Sequence, residues 1–368
     1  MRLVRGPQVR HRVVVTETNH GTARGLPLFA GGIAALGRHG RAVYGVPMGT
    51  FTVGLVLHPT KSVSESIDHL RQWRTRTGAE LVAVRDDADR VGDDVELTSL
   101  GELRDRVDAL VSLGGDGTML GAMRLVQDRP VPVLGVNYGN VGFLVEVEPH
   151  DLPDALDRLS TGTFSLEPHH ALEITHSTSA GEEHYLAFND VSVARIPGSG
   201  VVSADLVVDD TPYGYYKADA VVVATSAGST AYNHAAGGPI LSPALAAAVV
   251  TPVAPMAGID RSVVLAPTER LRFEIVGGTR AAALEVDGLV VSDVNTGCVL
   301  TLALRRDAGQ VIRLDAGRHA RKGRLKLSLL DLPLREDQLL ELVPPEVRAR
   351  VRDRASRGSL PVPPLAGL

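Results

Sequence analysis

The chain has almost no cysteine: Cys298 is the only one in 368 residues. A lone thiol excludes an intramolecular disulfide framework and fits a reducing, cytoplasmic setting. Aromatic residues are also scarce, at 4%, whereas Val, Ala, Leu and Gly are abundant. That balance suits an α/β protein whose strands are buried on both faces. Charge of one sign is lacking too: the formal net charge is -5, with no global pull toward nucleic acid or a membrane surface. No uninterrupted apolar run is long enough to cross a bilayer, so a soluble chain with no membrane partner is expected. Fixed-period repeats are absent.

Residues 1–47 lack the marks of a folded domain. They carry Arg2, Arg5, Arg10, Arg12, Arg24, Arg38 and Arg41 against one acid, Glu17. The mildly apolar stretch 25–36 is broken by Pro27, Gly31 and Gly32, which makes a poor signal-peptide core. The expectation is a basic, disordered leader, or a chain whose natural start is Met48.

From residue 53 the pattern becomes orderly. Apolar runs at 53–57, 81–84, 109–113 and 131–136 read as buried strands. Helical spacing occupies 64–77, 100–107 and 152–159, and 85–92 reads as a charged loop. This alternation predicts a doubly wound parallel sheet over 48–160, with ligands beyond the carboxyl ends of its strands. The texture then changes to short strands at 172–175, 205–208, 272–275 and 299–302. Asp287-Gly288, between two apolar runs, marks a hairpin. A largely β, sandwich-like domain is expected over 161–330, followed by a peripheral tail over 331–368.

Three stretches carry candidate chemistry. In Leu113-Gly114-Gly115-Asp116-Gly117-Thr118 an apolar run passes through glycines into helical spacing (Met119, Leu120, Met123). Such a strand-to-helix turn brings backbone N–H groups close to an anion and sets Asp116 beside it. The plainer reading is a tight turn with a capping Asp. A second glycine-rich turn, Asn137-Tyr138-Gly139-Asn140-Val141-Gly142-Phe143-Leu144, closes the next strand. The third stretch is Thr225-Ser226-Ala227-Gly228-Ser229-Thr230-Ala231-Tyr232. It offers small hydroxyl donors suited to ribose and phosphate oxygens, or is an ordinary Ser/Thr-rich loop. His169-His170 reads as a solvated strand start in preference to a metal site. Cys298 reads as a buried, inert strand residue.

In order, Gly114-Gly115-Asp116-Gly117-Thr118, the second glycine turn, Asn189-Asp190, Lys217-Ala218-Asp219 and Gly228-Ser229-Thr230-Ala231-Tyr232 resemble the NAD kinase family, over residues 53–327. The first motif also resembles turns of lipid kinases and, more distantly, phosphofructokinases; the last is much more particular. The resemblance implies an N-terminal α/β domain, a C-terminal β domain and NAD bound between them. It implies transfer of a phosphoryl group from ATP, or polyphosphate, to the 2′-hydroxyl of the adenosine ribose, with Mg²⁺ or another divalent cation. It also implies a homo-oligomer, dimer or tetramer, making NADP in the cytoplasm.

By the same resemblance Asp116 is the catalytic acid that accepts the hydroxyl proton, and Gly114, Gly115, Gly117 and Thr118 face phosphate. NAD would be held by Asp116, Gly117, Phe143, Asn189, Asp190, Lys217, Asp219, Ala227, Thr230, Ala231, Tyr232, Asn233, His234 and Ala235, and no metal ligand is assigned. His319 falls where the family often carries a histidine, although a basic surface accounts for it more simply. Departures from the pattern are Asp190 for glutamate, Lys217 for arginine, Ser226 and Ala227 for Pro-Thr, Ala254-Pro255-Met256-Ala257 for a Cys-Pro-His-Ser stretch, and Leu289 for glutamine. Two alternatives remain at this point: a lipid kinase, disfavoured by Met119-Leu120 where that group has Asn-Glu, and a non-catalytic dinucleotide sensor.

Overall fold

A computed structural model describes residues 34–36, 42–44, 51–139, 142–178 and 181–315, with 317, 319, 321, 323, 335 and 338. The expected tail over 331–368 lies almost wholly outside the described residues. The expected leader does too, except that β1 (Ala34–Leu36) and β2 (Ala42–Tyr44) pair antiparallel. Two short apolar stretches, separated by Gly37-Arg38-His39-Gly40-Arg41, are enough for this small ladder.

The first half is built from β3 (Thr52–Leu57), α1 (Ser64–Thr77), β4 (Glu80–Val84), α2 (Ala88–Val91) and β5 (Glu96–Thr98). It continues with α3 (Leu100–Arg106), β6 (Ala109–Gly114), α4 (Asp116–Leu125), β7 (Pro132–Asn137) and α5 (Leu152–Ser160). Strands pair in parallel in the order β7-β6-β3-β4-β5, so the winding reverses between β3 and β6. Both glycine turns leave this sheet at carboxyl ends, as the doubly wound pattern requires. Helix α1 buries Ile67, Leu70 and Trp73 and stops at Gly78, whose φ of 74° is the left-handed cap. The charged loop expected at 85–92 is corrected to a 3₁₀ turn, Arg85–Asp87, followed by α2. There Val91 is buried and Arg90 donates to the carbonyls of His58 and Lys61, contacts that a local charge pattern conceals.

The second half begins with β8 (Ser165–Thr178), β9 (Gly181–Ala187), β10 (Asp190–Arg195), β11 (Val202–Val208) and β12 (Thr211–Ala218). Then follow β13 (Ala220–Thr225), α6 (Tyr232–Ala235), β14 (Ala248–Val253), β15 (Ala257–Gly258) and β16 (Val263–Leu265). The last strands are β17 (Leu271–Ile275), β18 (Ala282–Val286), β19 (Leu289–Val294) and β20 (Val299–Arg313). One sheet runs β16-β14-β13-β10-β18-β19 and faces the antiparallel run β15-β12-β11-β17-β20. Their inner faces interdigitate through Val191, Val223, Leu206, Phe273 and Leu302, leaving only about 10 Å³ of space, too little for a ligand. Asp287 and Gly288 turn the β18–β19 hairpin with φ of 46° and 77°.

Strand β20 decides how the halves meet. It pairs with β17 and β8, shifts register between Arg305 and Gly309, and then runs parallel to β7. The parallel and antiparallel sheets are thereby one continuous sheet. The fold is an N-terminal parallel α/β half followed by a mostly β half. No helix among the described residues is long and apolar enough to cross a membrane.

Candidate active site

Strand β6 is buried throughout and delivers the chain to its glycine turn. A Cβ on Gly114 would lie 2.1 Å from Thr118 Oγ1, so the turn admits no side chain there. Asp116 then opens α4. Its Oδ2 accepts the Phe143 N–H at 2.8 Å, and its Oδ1 accepts those of Leu144 and Val145 at 3.1 and 3.4 Å. Gly142 permits this approach, because a Cβ there would sit 2.0 Å from Asp116 Oδ1. The carboxylate is thus held at the junction of the two glycine-rich segments.

Behind it lies a partly buried ionic cluster. Arg313, at the end of β20 and 3% exposed, donates to Leu144 O at 2.7 Å and Phe143 O at 3.3 Å. It also donates to Glu167 at 2.8 and 3.2 Å, and its Nη1 lies 3.5 Å from Glu146. Glu167 Oε1 meets His169 Nε2 at 2.9 Å, and its Oε2 lies 3.4 Å from His319 Nε2. Burial pushes the Glu167 carboxyl up, but hydrogen bonds from His169 and Arg313 outweigh it and hold the group well below the usual carboxylate range. Burial, with Arg313 adding repulsion, lowers the His319 imidazole.

Three expectations are corrected here. His169 is buried against Glu167 and is not a solvated strand start, because the strand alternation turns Glu167 and His169 to one face. His319 lies beside Glu167 in this cluster and is not part of a basic surface. Cys298 is half-buried, just ahead of β20 instead of within it.

The facing wall comes from the β half. Thr225 Oγ1 donates to Phe188 O at 2.7 Å and accepts the Gly228 N–H at 3.0 Å. Gly228 packs on Asn189, where a Cβ would stand 1.9 Å from the carbonyl oxygen. Ser229 Oγ donates to Ser226 O at 2.7 Å and accepts from Leu241 N at 2.9 Å. Most of the hydroxyls in this stretch therefore build the loop, and Thr230 is the one that lines the cleft.

Between the walls is a cleft of about 430 Å³. Of the residues expected from the sequence, Asp116, Phe143, Asn189, Ala227, Thr230 and Ala231 line it. Gly114, Gly115, Gly117 and Thr118 form the turn that carries Asp116. Asp190 lies beneath the wall, where its carboxyl meets the Tyr232 N–H and is pushed up to about 7 by burial and by Asp287 and Glu285. Burial, with Glu285, Asp190 and Asp219 nearby, also raises the Tyr232 phenol. Lys217 is exposed on β12, Asp219 pairs with Arg195 at 2.6 Å, and His234 and Ala235 sit on α6; none of these lines the cleft.

Asn233 is buried and faces its own loop: its amide donates to Ser229 O and Pro239 O, and its Oδ1 accepts from Thr251. Leu144, the last residue of the second glycine turn, also lines the cleft, and Glu167, His169 and the segment 240–243 line it without having been expected. The Glu167-x-His169 alternation was the one local signal for any of them. Among the departures, Leu289 is 57% exposed on the edge strand β19 and does not reach the cleft.

Comparison with known proteins agrees with this architecture. The model of the ATP-NAD kinase N-terminal domain matches residues 40–164, and that of the C-terminal domain matches 188–314. The NAD kinase of Syntrophotalea carbinolica is 34% identical over 245 residues, covering 66% of this chain and 84% of that relative. The NAD kinase of Heliobacterium modesticaldum is 37% identical over 246 residues, covering 64% of this chain and 84% of that relative. Yeast NADH kinase complexed with NADH shares the fold with a TM-score of 0.70 at 20% identity, covering 80% of this chain and 92% of that one. An NAD kinase from Archaeoglobus fulgidus in complex with ATP gives 0.58 at 20% identity, covering 76% and 99%. The class is a phosphotransferase with an α/β half and a β half. The chain belongs to the NAD kinase family.

Proposed function

We propose that this chain transfers the γ-phosphoryl group of ATP to the 2′-hydroxyl of the adenosine ribose of NAD, releasing ADP and NADP. The observation that carries this is the Asp116 carboxylate, fixed by three backbone N–H groups on a cleft wall opposite Asn189 and Thr230. Asp116 accepts the hydroxyl proton as the ribose oxygen bonds to phosphorus and the ADP oxygen leaves. The N-terminal turn of α4, with Gly115, Gly117 and Thr118, presents N–H groups to the transferred phosphate. Asn189 and Thr230 bind ribose hydroxyls, Phe143 packs against a base, and Asp190 acts from below by holding the Tyr232 backbone.

No group of three His, Cys, Asp or Glu side chains able to hold a metal occurs among the described residues. Magnesium enters this proposal as part of the ATP substrate, carried by phosphate oxygens and water. The same reading includes polyphosphate as a possible second donor, a cytoplasmic location and a homo-oligomer. Association is supported by the exposed apolar edge at Leu289, Val290 and Val291. The division into an α/β domain over 48–160 and a β domain over 161–330 belongs to it as well.

The test is NADP formation from purified protein, NAD, ATP and Mg²⁺. Asp116→Asn should lower kcat by about 10²–10⁴-fold while the protein stays folded. Tight NAD binding with no turnover from any donor would replace this function with a sensor's.

A further inference from the structure

Asp287, at the β18–β19 turn, has a side chain that is 0% exposed. Its carboxylate accepts N–H groups from Phe188 at 3.1 Å, Asn189 at 2.7 Å and Asp190 at 3.2 Å. Its own N–H donates to Asp190 O at 2.8 Å. The remaining partner comes from the other half of the molecule: Arg124 Nη1, in the last turn of α4, donates to Asp287 Oδ2. Arg124 stands about two helical turns beyond Asp116 on that same helix. One rigid element therefore carries the cleft carboxylate at one end and, at the other, the cation that grips the Asn189 turn. That turn is tied onward, since the Thr225 N–H donates to Asn189 O at 2.9 Å and Gly228 packs against Asn189. Neither Arg124 nor Asp287 lines the cleft.

We propose that Arg124 and Asp287 are a positioning pair that sets the separation between Asp116 and the Asn189–Thr230 wall, and hence between the base and the ribose hydroxyl it deprotonates. The inference rests on the reading of the cleft as the site of NAD phosphorylation. Stability alone is a weak reason for burying such charges, because an apolar pair of similar size holds two elements together as well. A charge-assisted, directional bond to a carboxylate that already collects three N–H groups fixes a distance, which an apolar contact does not. Misplacing reacting groups by about 1 Å costs on the order of 10²-fold in rate.

Arg124→Gln removes the link but leaves the Asp287 bonds to Phe188, Asn189 and Asp190 in place; Arg124→Lys keeps the charge. Steady-state kinetics with NAD and ATP, and hydrogen exchange at the amides of residues 188–190, should be measured on both variants. Arg124→Gln should lose about tenfold or more in kcat with the KM for ATP within about twofold, and the three amides should exchange about tenfold faster. Arg124→Lys, the more conservative fold, should recover kcat to within about threefold of wild type.

Unchanged kcat and exchange in Arg124→Gln would overturn the pairing. So would a loss that Arg124→Lys does not recover, which would mark a merely structural contact. A wild-type protein that makes no NADP would instead refute the assigned function, and the exchange rates would still decide whether Arg124 holds the Asn189 turn.

Discussion

Gly142 shows how a residue with no side chain controls the site. Any Cβ there would fall 2.0 Å from Asp116 Oδ1 and 2.5 Å from its Cγ, well inside van der Waals contact. Gly142→Ala should therefore push the carboxylate off the Phe143, Leu144 and Val145 amides. The expected result is a kcat lowered by about 10²-fold or more with the thermal midpoint close to wild type. Asp190 illustrates the opposite case, a group that costs stability. Its carboxyl is pushed from 3.8 to about 7, first by burial and then by Asp287. The folded state holds this proton where the unfolded state has lost it, so the contribution is most favourable below about pH 4 and is lost as pH rises to about 7. Asp190→Asn keeps an acceptor for the Tyr232 N–H and removes the buried charge. It should raise the thermal midpoint at pH 8, with the difference shrinking from pH 7 down to pH 4. A midpoint gain that is the same at pH 4 and pH 8 would count against this account.

At the scale of elements, β20 brings the cluster around Asp116 together. Arg313 at its end hydrogen-bonds Glu167, lies 3.5 Å from Glu146 and clamps the carbonyls of Phe143 and Leu144, whose N–H groups hold Asp116. Arg313→Met would leave the buried Glu146 and the half-buried Glu167 without their shared cation, at a cost of about 3 kcal/mol measurable by urea unfolding. kcat should fall with it, because the 143–145 segment loses its anchor. The local patterns around β6, α4, α1 and the Asp287-Gly288 hairpin were readable in the sequence, because each is a run of consecutive residues obeying one period. The full length of β20 was not. Arg305, Arg306 and Asp307 interrupt its alternation, and Asp307 adopts a φ of 54° at the register shift. The site was legible to the same limit. Asp116 and the Gly228–Tyr232 loop are contiguous motifs, whereas Glu146, Glu167, Arg313 and His319 meet only once β8 and β20 have paired. A polar side chain beside a binding motif, such as Asn233, looks the same in sequence whether it faces a ligand or its own loop.

For the molecule as a whole, the two halves distinguished by composition share their cores. Ile312 of β20 packs among Val111, Leu134 and Val136 of the parallel sheet. Ala171, Leu186, Phe188, Ala308 and Val311 bury the face formed by Met119, Met123 and Val133. With β20 also hydrogen-bonded to β7, removing the β half would expose one edge of the parallel sheet and much of its apolar face. A fragment ending at residue 164, the limit of the matched N-terminal domain, should therefore lack a cooperative unfolding transition and bind a hydrophobic dye. The full chain should unfold in a single calorimetric transition whose midpoint rises with NAD concentration, since the cleft is walled by both halves and ligand stabilises them together. Two resolved transitions, only one of them sensitive to NAD, would show that each half folds on its own and that β20 joins the sheets without coupling them.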